Sequence, residues 1–199
     1  EGGFPGNRRT TARFETDDSS LTLTVTTETD APTWVNFANH SYWNLDGTAD
    51  FSGHRLSIAA ERYMVHDATG LPTGEVRDVA GTQIDFRKGR ILQAGPETYD
   101  NNMCLSDAPR ALTEVATLTG SQGIAMRLST TEPGLQVYDA VKMTDYGQRD
   151  HQGRVFGPNR GFALEAQGWP DAPNRPEYPS VVLRPGETRR QITRWAFST

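Results

Sequence analysis

Short segments in which apolar and polar residues alternate dominate this chain, and such alternation is typical of β-strands with one buried face. The clearest is residues 21–26, where Leu and Val occupy one face and Thr the other. Residues 12–15 precede it, and the polar run 17–20 predicts a hairpin turn between the two. The other predicted strands are residues 34–37, 55–60, 111–118, 123–129, 135–140, 161–166, 181–183 and 188–197.

Helical periodicity is nearly absent, and the one short candidate, residues 84–89, predicts about one turn. Strands at short intervals, separated by Gly and Pro, indicate a β-sandwich or a β-barrel. Residues 63–78 are predicted to be a long loop, of the kind that often forms the rim of a site. A chain of 199 residues can bury a real core, so we expect one all-β domain over residues 1–199.

Composition excludes several classes of protein. The formal net charge of −5 argues against a nucleic-acid partner, which would favour a basic surface. The single cysteine, Cys104, cannot form an intrachain disulfide, and its apolar surroundings predict a buried structural thiol. No apolar run is long enough to cross a bilayer, so we expect no membrane partner. We expect a cytoplasmic location, with the periplasm as the alternative.

Residues 39–45, Asn-His-Ser-Tyr-Trp-Asn-Leu, are the richest source of candidate chemistry. Histidine can carry a proton at neutral pH, and amides and hydroxyls hydrogen-bond sugar hydroxyls while aromatic rings cover the apolar faces of sugars. His40 follows a predicted strand, a position from which it would face a cleft. The alternative is a structural histidine held by hydrogen bonds.

Glu165 is the second candidate, on a predicted strand near the C-terminal end of the chain. If Phe162 and Leu164 face the core, Glu165 shares the opposite face with Ala163 and Gln167. That face is either solvated or concave. In a concave, partly dry site the pKa of the carboxyl group would rise and make it a usable base. A histidine and a glutamate from distant strands could then form an acid and base pair.

The positions of other polar residues can be explained without a functional role. Asp100 lies in a run that reads as a turn, and Gln136 reads as an outward-facing strand residue. The four histidines show no metal-ligand spacing, and the chain has no phosphate-binding glycine loop or dinucleotide fingerprint. The sequence therefore predicts neither a metal nor an organic cofactor.

Taken in order along the chain, these segments resemble the galactose mutarotase, or aldose 1-epimerase, family. No single segment is decisive, but eight or more in the correct order across nearly the whole chain make a specific signal. The matching segments are residues 5–6, 32–45, 71–75, 85–87, 99–102, 132–138, 161–167, 170–174 and 185–187.

The resemblance implies a large antiparallel β-sandwich with a concave sugar-binding face. It also implies that the N-terminal strands of that sandwich are missing, because the match begins partway into the family's pattern. We therefore expect the C-terminal portion of a longer mutarotase domain, completed by the missing N-terminal segment or by a second copy of the chain.

The implied activity is interconversion of the α and β anomers of free aldoses such as galactose and glucose, with no metal and no organic cofactor. By the resemblance, Glu165 is the general base that takes the proton of the C1 hydroxyl, and His40 is the general acid that protonates the ring oxygen. Asp100 and Gln136 match positions that bind sugar hydroxyls. The neighbours of His40, Ser41 and Tyr42, are expected to line the same pocket.

Two other functions fit the same residues. A non-catalytic carbohydrate-binding module would use the same concave face without needing the acid and base. A glycoside hydrolase would use Asp100 and Glu165 as its two carboxyl groups, but it would leave His40 without an obvious role.

Overall fold

The protein, seen in a computed structural model that describes residues 3–95, 98–144 and 147–199, is built almost entirely of β-strands. Within those residues the one helix is a 3-10 turn, Ala172–Asn174. The strands are β1 (Arg8–Asp17), β2 (Ser20–Thr29), β3 (Thr33–Trp34), β4 (Tyr42–Trp43), β5 (Arg55–Ile58), β6 (Arg62–His66), β7 (Pro72–Asp78), β8 (Arg90–Ile91), β9 (Asp100–Cys104), β10 (Thr113–Thr119), β11 (Ala125–Thr130), β12 (Gly134–Tyr138), β13 (Phe162–Gln167), β14 (Val182–Leu183) and β15 (Arg189–Ser198).

Two large sheets form the framework. One has seven strands in the order β1-β2-β15-β11-β10-β5-β8, and the other has six in the order β4-β13-β12-β9-β6-β7. A two-stranded ribbon of β14 and β3 is separate from both. Every described pairing of strands is antiparallel. The predicted antiparallel β-sandwich is confirmed.

The core lies between the two sheets. Leu128 and Trp195 from the seven-stranded sheet and Val137, Phe162 and Leu164 from the six-stranded sheet belong to one buried cluster. Burial of side chains of this size contributes about 1.5–3 kcal/mol each. The inner face of the six-stranded sheet is thus committed to the core, and its outer face is available for a site.

The prediction of a long loop over residues 63–78 is wrong. These residues form most of β6 and β7, a hairpin joined by a short turn in which the Asp67 carboxylate accepts the N–H groups of Thr69 and Leu71. β7 lies at the edge of its sheet and carries charged residues that are exposed. Without apolar alternation, its sequence carried no strand signal.

Two further predictions need correction. Residues 84–89 form turns rather than a helix, because Ile84 and Phe86 are both buried and a helix would point residues two apart in different directions. The strand predicted over residues 34–37 is limited to Thr33–Trp34, and the chain that follows it is irregular.

The turn predicted around Asp100 is also wrong, because Asp100 begins strand β9. The predictions for the first hairpin and for Cys104 are confirmed. The first hairpin turns at Asp18 and Ser19, inside the predicted run, with Asp18 at a positive φ of 25°. Cys104 is buried in β9, and burial raises the pKa of its thiol to about 12, as expected for a structural cysteine. Within the described part of the chain, no helix is long and apolar enough to cross a membrane.

Candidate functional site

Strand β13 brings Glu165 to the outer face of the six-stranded sheet. Phe162 and Leu164 lie in the core, so the alternation of a strand turns Ala163, Glu165 and Gln167 the other way. The Glu165 side chain is nevertheless only 9% exposed. The outer face is therefore concave and partly dry at this point, which is the condition under which the sequence predicted a usable base.

His40 meets Glu165 directly. Its Nε2 lies 3.3 Å from Oε1 of the carboxyl group, and half of its side chain is exposed. His40 lies in the irregular segment that leads into β4, where Tyr42 pairs with Ala163 of β13. This pairing, between residues remote in the sequence, carries the imidazole to the carboxyl group.

Two tyrosines surround the imidazole. The His40 ring lies 4.9 Å from the Tyr42 ring and 6.1 Å from the Tyr138 ring, measured between centroids, and the two tyrosine rings are 6.4 Å apart. Burial raises the pKa of both tyrosine hydroxyls, so both stay protonated and able to donate hydrogen bonds near neutral pH. The tyrosines form one aromatic wall beside the acid and base candidates.

Asp100 and Gln136 lie on the same face as Glu165. Gln136 is directly opposite Glu165 in the register of β12 and β13, and its Nε2 donates to Oδ1 of Asp100 at 2.9 Å. Neighbouring strands lie ~4.8 Å apart and same-face residues along a strand ~6.7 Å apart, so the Cα atoms of Asp100 and Glu165 are about 12 Å apart. That separation leaves room for one sugar ring between the two carboxyl groups.

A cavity of about 190 Å³ opens on this face beside Gln136. Its polar lining includes Asp100, Asn102, Gln167 and His66. His66 belongs to the β6–β7 hairpin, which the sequence predicted to be a loop. The polar groups that converge on this cavity can hydrogen-bond hydroxyls, and His40 and Glu165 lie outside its lining. A separate hollow of about 270 Å³ lies beyond Tyr42.

Electrostatics distinguish Glu165 from an ordinary surface carboxylate. Burial, and to a smaller extent the nearby charge of Asp100, raises its pKa to about 7. A carboxyl group with this pKa exchanges its proton near neutral pH, which suits a general base.

Ser41 and Lys142 are two further residues near these groups. Ser41 is half-buried next to His40, but its hydroxyl has no hydrogen-bond partner among the residues that the structure describes. Its predicted role in the pocket stays a prediction. Lys142, which no sequence pattern singled out, reaches Oδ2 of Asp100 at 3.3 Å. A lone lysine after a strand carries no signal that would have marked it.

No group of three or more His, Cys, Asp or Glu is arranged to hold a metal ion within residues 3–95, 98–144 and 147–199. The groups that do converge are one imidazole, two carboxyl groups, amides and phenols. Such groups transfer protons and bind hydroxyls.

Comparison with known proteins decides the family. The family described as "Aldose 1-epimerase" matches residues 1–195. The chain belongs to the aldose 1-epimerase family. Galactose mutarotase from Homo sapiens is 35% identical over 205 residues, with all of this chain and 60% of that protein covered. Aldose 1-epimerase from Escherichia coli K12 is 33% identical over 211 residues, covering 98% of this chain and 60% of its own length.

Solved structures of aldose 1-epimerase relatives have the same fold. A homologue of GalM/aldose epimerase from C. elegans superposes with a TM-score of 0.89 at 28% identity, covering 98% of this chain and 61% of its own. Galactose 1-epimerase from Lactobacillus acidophilus gives a TM-score of 0.77 at 26% identity, covering 98% and 58%. The chain thus spans about 60% of the length of the relatives it matches.

Proposed function

We propose that this chain carries the acid, the base and part of the sugar-binding surface of an aldose 1-epimerase that acts on free aldohexoses such as galactose and glucose. The observation that supports this most strongly is the contact of His40 with Glu165, 3.3 Å apart on a concave face that also carries Asp100 and Gln136. Membership of the aldose 1-epimerase family supports the same reaction.

The reaction needs two proton transfers at neighbouring oxygen atoms of the sugar. Glu165 takes the proton of the C1 hydroxyl while His40 gives a proton to the ring oxygen, so the bond between C1 and the ring oxygen breaks and the open-chain aldehyde forms. Rotation about the C1–C2 bond presents the other face of the aldehyde. Reversal of both proton transfers closes the opposite anomer. Each positioned group contributes about 10²–10⁴-fold.

The remaining residues have positioning roles in this proposal. Asp100 and Gln136, linked to each other by a hydrogen bond of 2.9 Å, bind sugar hydroxyls on the side of the pocket away from His40. Tyr42 and the half-buried Ser41 line the wall next to the imidazole. No step requires a metal ion or an organic cofactor.

We also propose that a further part of the protein completes this site. Nine of the ten residues of β1 are exposed at the edge of its sheet, and Phe14 and Phe37 are 56% and 41% exposed. A hollow of about 300 Å³ below them is lined by Asn39 and Ala166, the chain neighbours of the acid and base candidates. A segment that fills this hollow would cover the core side of β13 and support the strand whose opposite face carries Glu165.

The size of that segment is suggested by the relatives, which extend well beyond the 60% of their length that this chain matches. A second copy of the chain, paired through β1, is the other candidate. Light scattering combined with hydrogen exchange of the β1 amides distinguishes the two. If the β1 amides of the full-length protein exchange slowly while the protein is monomeric, a further segment covers β1. If they exchange slowly only when the protein is dimeric, the second copy covers β1.

Polarimetry on freshly dissolved α-galactose and α-glucose tests the proposed reaction. We expect the full-length protein to accelerate the approach to the equilibrium rotation in proportion to its concentration. A protein that binds either sugar without accelerating mutarotation would contradict the proposal and favour a non-catalytic carbohydrate-binding domain.

A further inference from the structure

Lys142 places a cation at the far side of the candidate sugar pocket. Its Nζ lies 3.3 Å from Oδ2 of Asp100, while Gln136 donates to the other oxygen of the same carboxylate at 2.9 Å. Gln136 stands opposite Glu165, whereas Lys142 comes after the end of β12 at Tyr138. Asp100 lies on β9 and Glu165 on β13, with β12 between them, so the ammonium group at Asp100 is separated from Glu165 across the strands.

The turn that carries Lys142 is held by a buried carboxylate. Asp139 is 2% exposed, and its two oxygens accept the N–H groups of Tyr99 and Val141, both at 2.9 Å. The N–H of Lys142 itself donates to the Tyr138 hydroxyl at 3.2 Å. The backbone of Lys142 is thus held beside the site by groups within the sheet. Its long side chain can change rotamer while the backbone stays in place.

The Lys142 ammonium has donors to spare. An ammonium group carries three N–H donors, and within the described residues one of them is directed at Asp100. Its side chain is 70% exposed. An ion pair this exposed contributes little to stability, so the contact with Asp100 is easily exchanged for a contact with a ligand.

We propose that Lys142 determines the substrate specificity of this site by admitting an aldose with a carboxylate at the end opposite the anomeric carbon, as in a hexuronic acid, besides neutral aldoses. This inference rests on the proposed function, because the His40–Glu165 pair fixes which end of the sugar is the anomeric carbon. Asp100 without its lysine would repel such a carboxylate, and the ammonium offsets that repulsion and offers the carboxylate a hydrogen-bond donor.

The charges on this face favour one negative charge on the sugar rather than two. The acidic groups that face the pocket are Asp100 and Glu165, and the raised pKa of Glu165, about 7, leaves it partly neutral at physiological pH. His66 also lines the cavity. The ammonium group already balances Asp100, so one sugar carboxylate leaves a single net negative charge here, whereas a phosphate would leave up to two.

Binding and turnover of galacturonic acid and galactose by the full-length protein test the inference. We expect Lys142→Met to weaken binding of galacturonic acid about tenfold more than binding of galactose, measured by NMR titration at pH 7. Lys142→Arg keeps the charge and should keep the preference. Lys88→Met is the matched control, because it removes the same charge from an exposed turn outside the site.

The inference is wrong if galacturonic acid does not bind, if Lys142→Met leaves the ratio of the two affinities unchanged, or if Lys88→Met lowers that ratio equally. Polarimetry on the same samples separates this test from that of the proposed reaction. A lysine-dependent preference without mutarotation of either sugar would refute only the reaction. Rapid mutarotation of both sugars with a ratio of affinities independent of Lys142 would refute only the role of the lysine.

Discussion

Two regions of this protein each bury a glutamate, and they treat it in opposite ways. Glu132, beside the start of β12, is 1% exposed and lies 3.0 Å from Nη2 of Arg189, with a further hydrogen bond from the Thr131 hydroxyl. Glu165, 7% exposed on the concave face, has the half-exposed imidazole of His40 as its ionic partner. The first carboxylate is neutralised by a guanidinium, whereas burial leaves the second with a raised pKa.

Two histidines repeat the contrast. His54 is fully buried, accepts the N–H of Leu45 at 2.9 Å and lies 2.9 Å from the carbonyl oxygen of Phe51. Both of its ring nitrogens are therefore occupied by the backbone, and it has no nitrogen left for a substrate. His40 instead points Nε2 at Glu165 and remains accessible. A buried polar group whose partners all belong to the backbone stabilises the fold, whereas an accessible one beside a buried carboxyl group is available for chemistry.

The largest expected effect comes from replacing the carboxyl group of Glu165 by an amide. We expect Glu165→Gln to lower kcat for mutarotation by about 10²–10⁴-fold while sugar affinity changes little, because the amide keeps the shape but cannot take a proton. Polarimetry for kcat and NMR titration for affinity check this. Glu132→Gln is the matched control and should keep the kcat of its folded fraction. Near-normal kcat in Glu165→Gln would remove this residue from the reaction.

The histidines sharpen the same contrast at a somewhat smaller scale. His40→Asn should lower kcat by about 10²-fold, since asparagine can hydrogen-bond the ring oxygen but cannot protonate it. His54→Asn should instead lower the melting temperature, because the backbone groups it serves would lose their partners. Polarimetry and thermal unfolding of both variants check this, and a reversed outcome would exchange the roles of the two histidines.

The ion pair of Glu132 with Arg189 should affect stability alone. We expect Glu132→Gln to reduce the free energy of unfolding by about 3 kcal/mol, because it leaves the mostly buried Arg189 guanidinium without a countercharge. Urea denaturation followed by fluorescence measures the change. An unaltered free energy of unfolding would mean that the pair contributes no net stability.

The smallest expected effect is a pH dependence that belongs to Glu165. Its pKa is about 7 in the folded protein against an ordinary value of 4.5, so the protonated form favours folding. That contribution is complete below pH 4.5 and is lost as the pH rises through 7. Glu165→Gln should therefore nearly match the wild type at pH 4.5 and exceed its free energy of unfolding by about 2 kcal/mol at pH 6. Urea denaturation at both pH values measures this, and an equal difference at both would contradict the raised pKa.

The sequence correctly predicted most strands in which apolar and polar residues alternate. Leu21 and Val25 marked β2, and the run around Glu165 correctly turned its carboxyl group away from Phe162 and Leu164. Strands without apolar alternation escaped detection, as β7 did with its exposed charges. Alternation of apolar and polar residues arises when one face of a strand is buried. An edge strand with little buried surface therefore lacks this alternation.

The sequence by itself determined the all-β class, the face on which Glu165 lies and the family to which the motifs point, because side-chain alternation and motif order are properties of neighbouring residues. Only the tertiary structure decided that His40 lies against Glu165, through the pairing of Tyr42 with Ala163, and that Lys142 reaches Asp100. Contacts of this kind depend on the register between strands remote in the chain. That register is set by the packing of the whole core, which no single segment encodes.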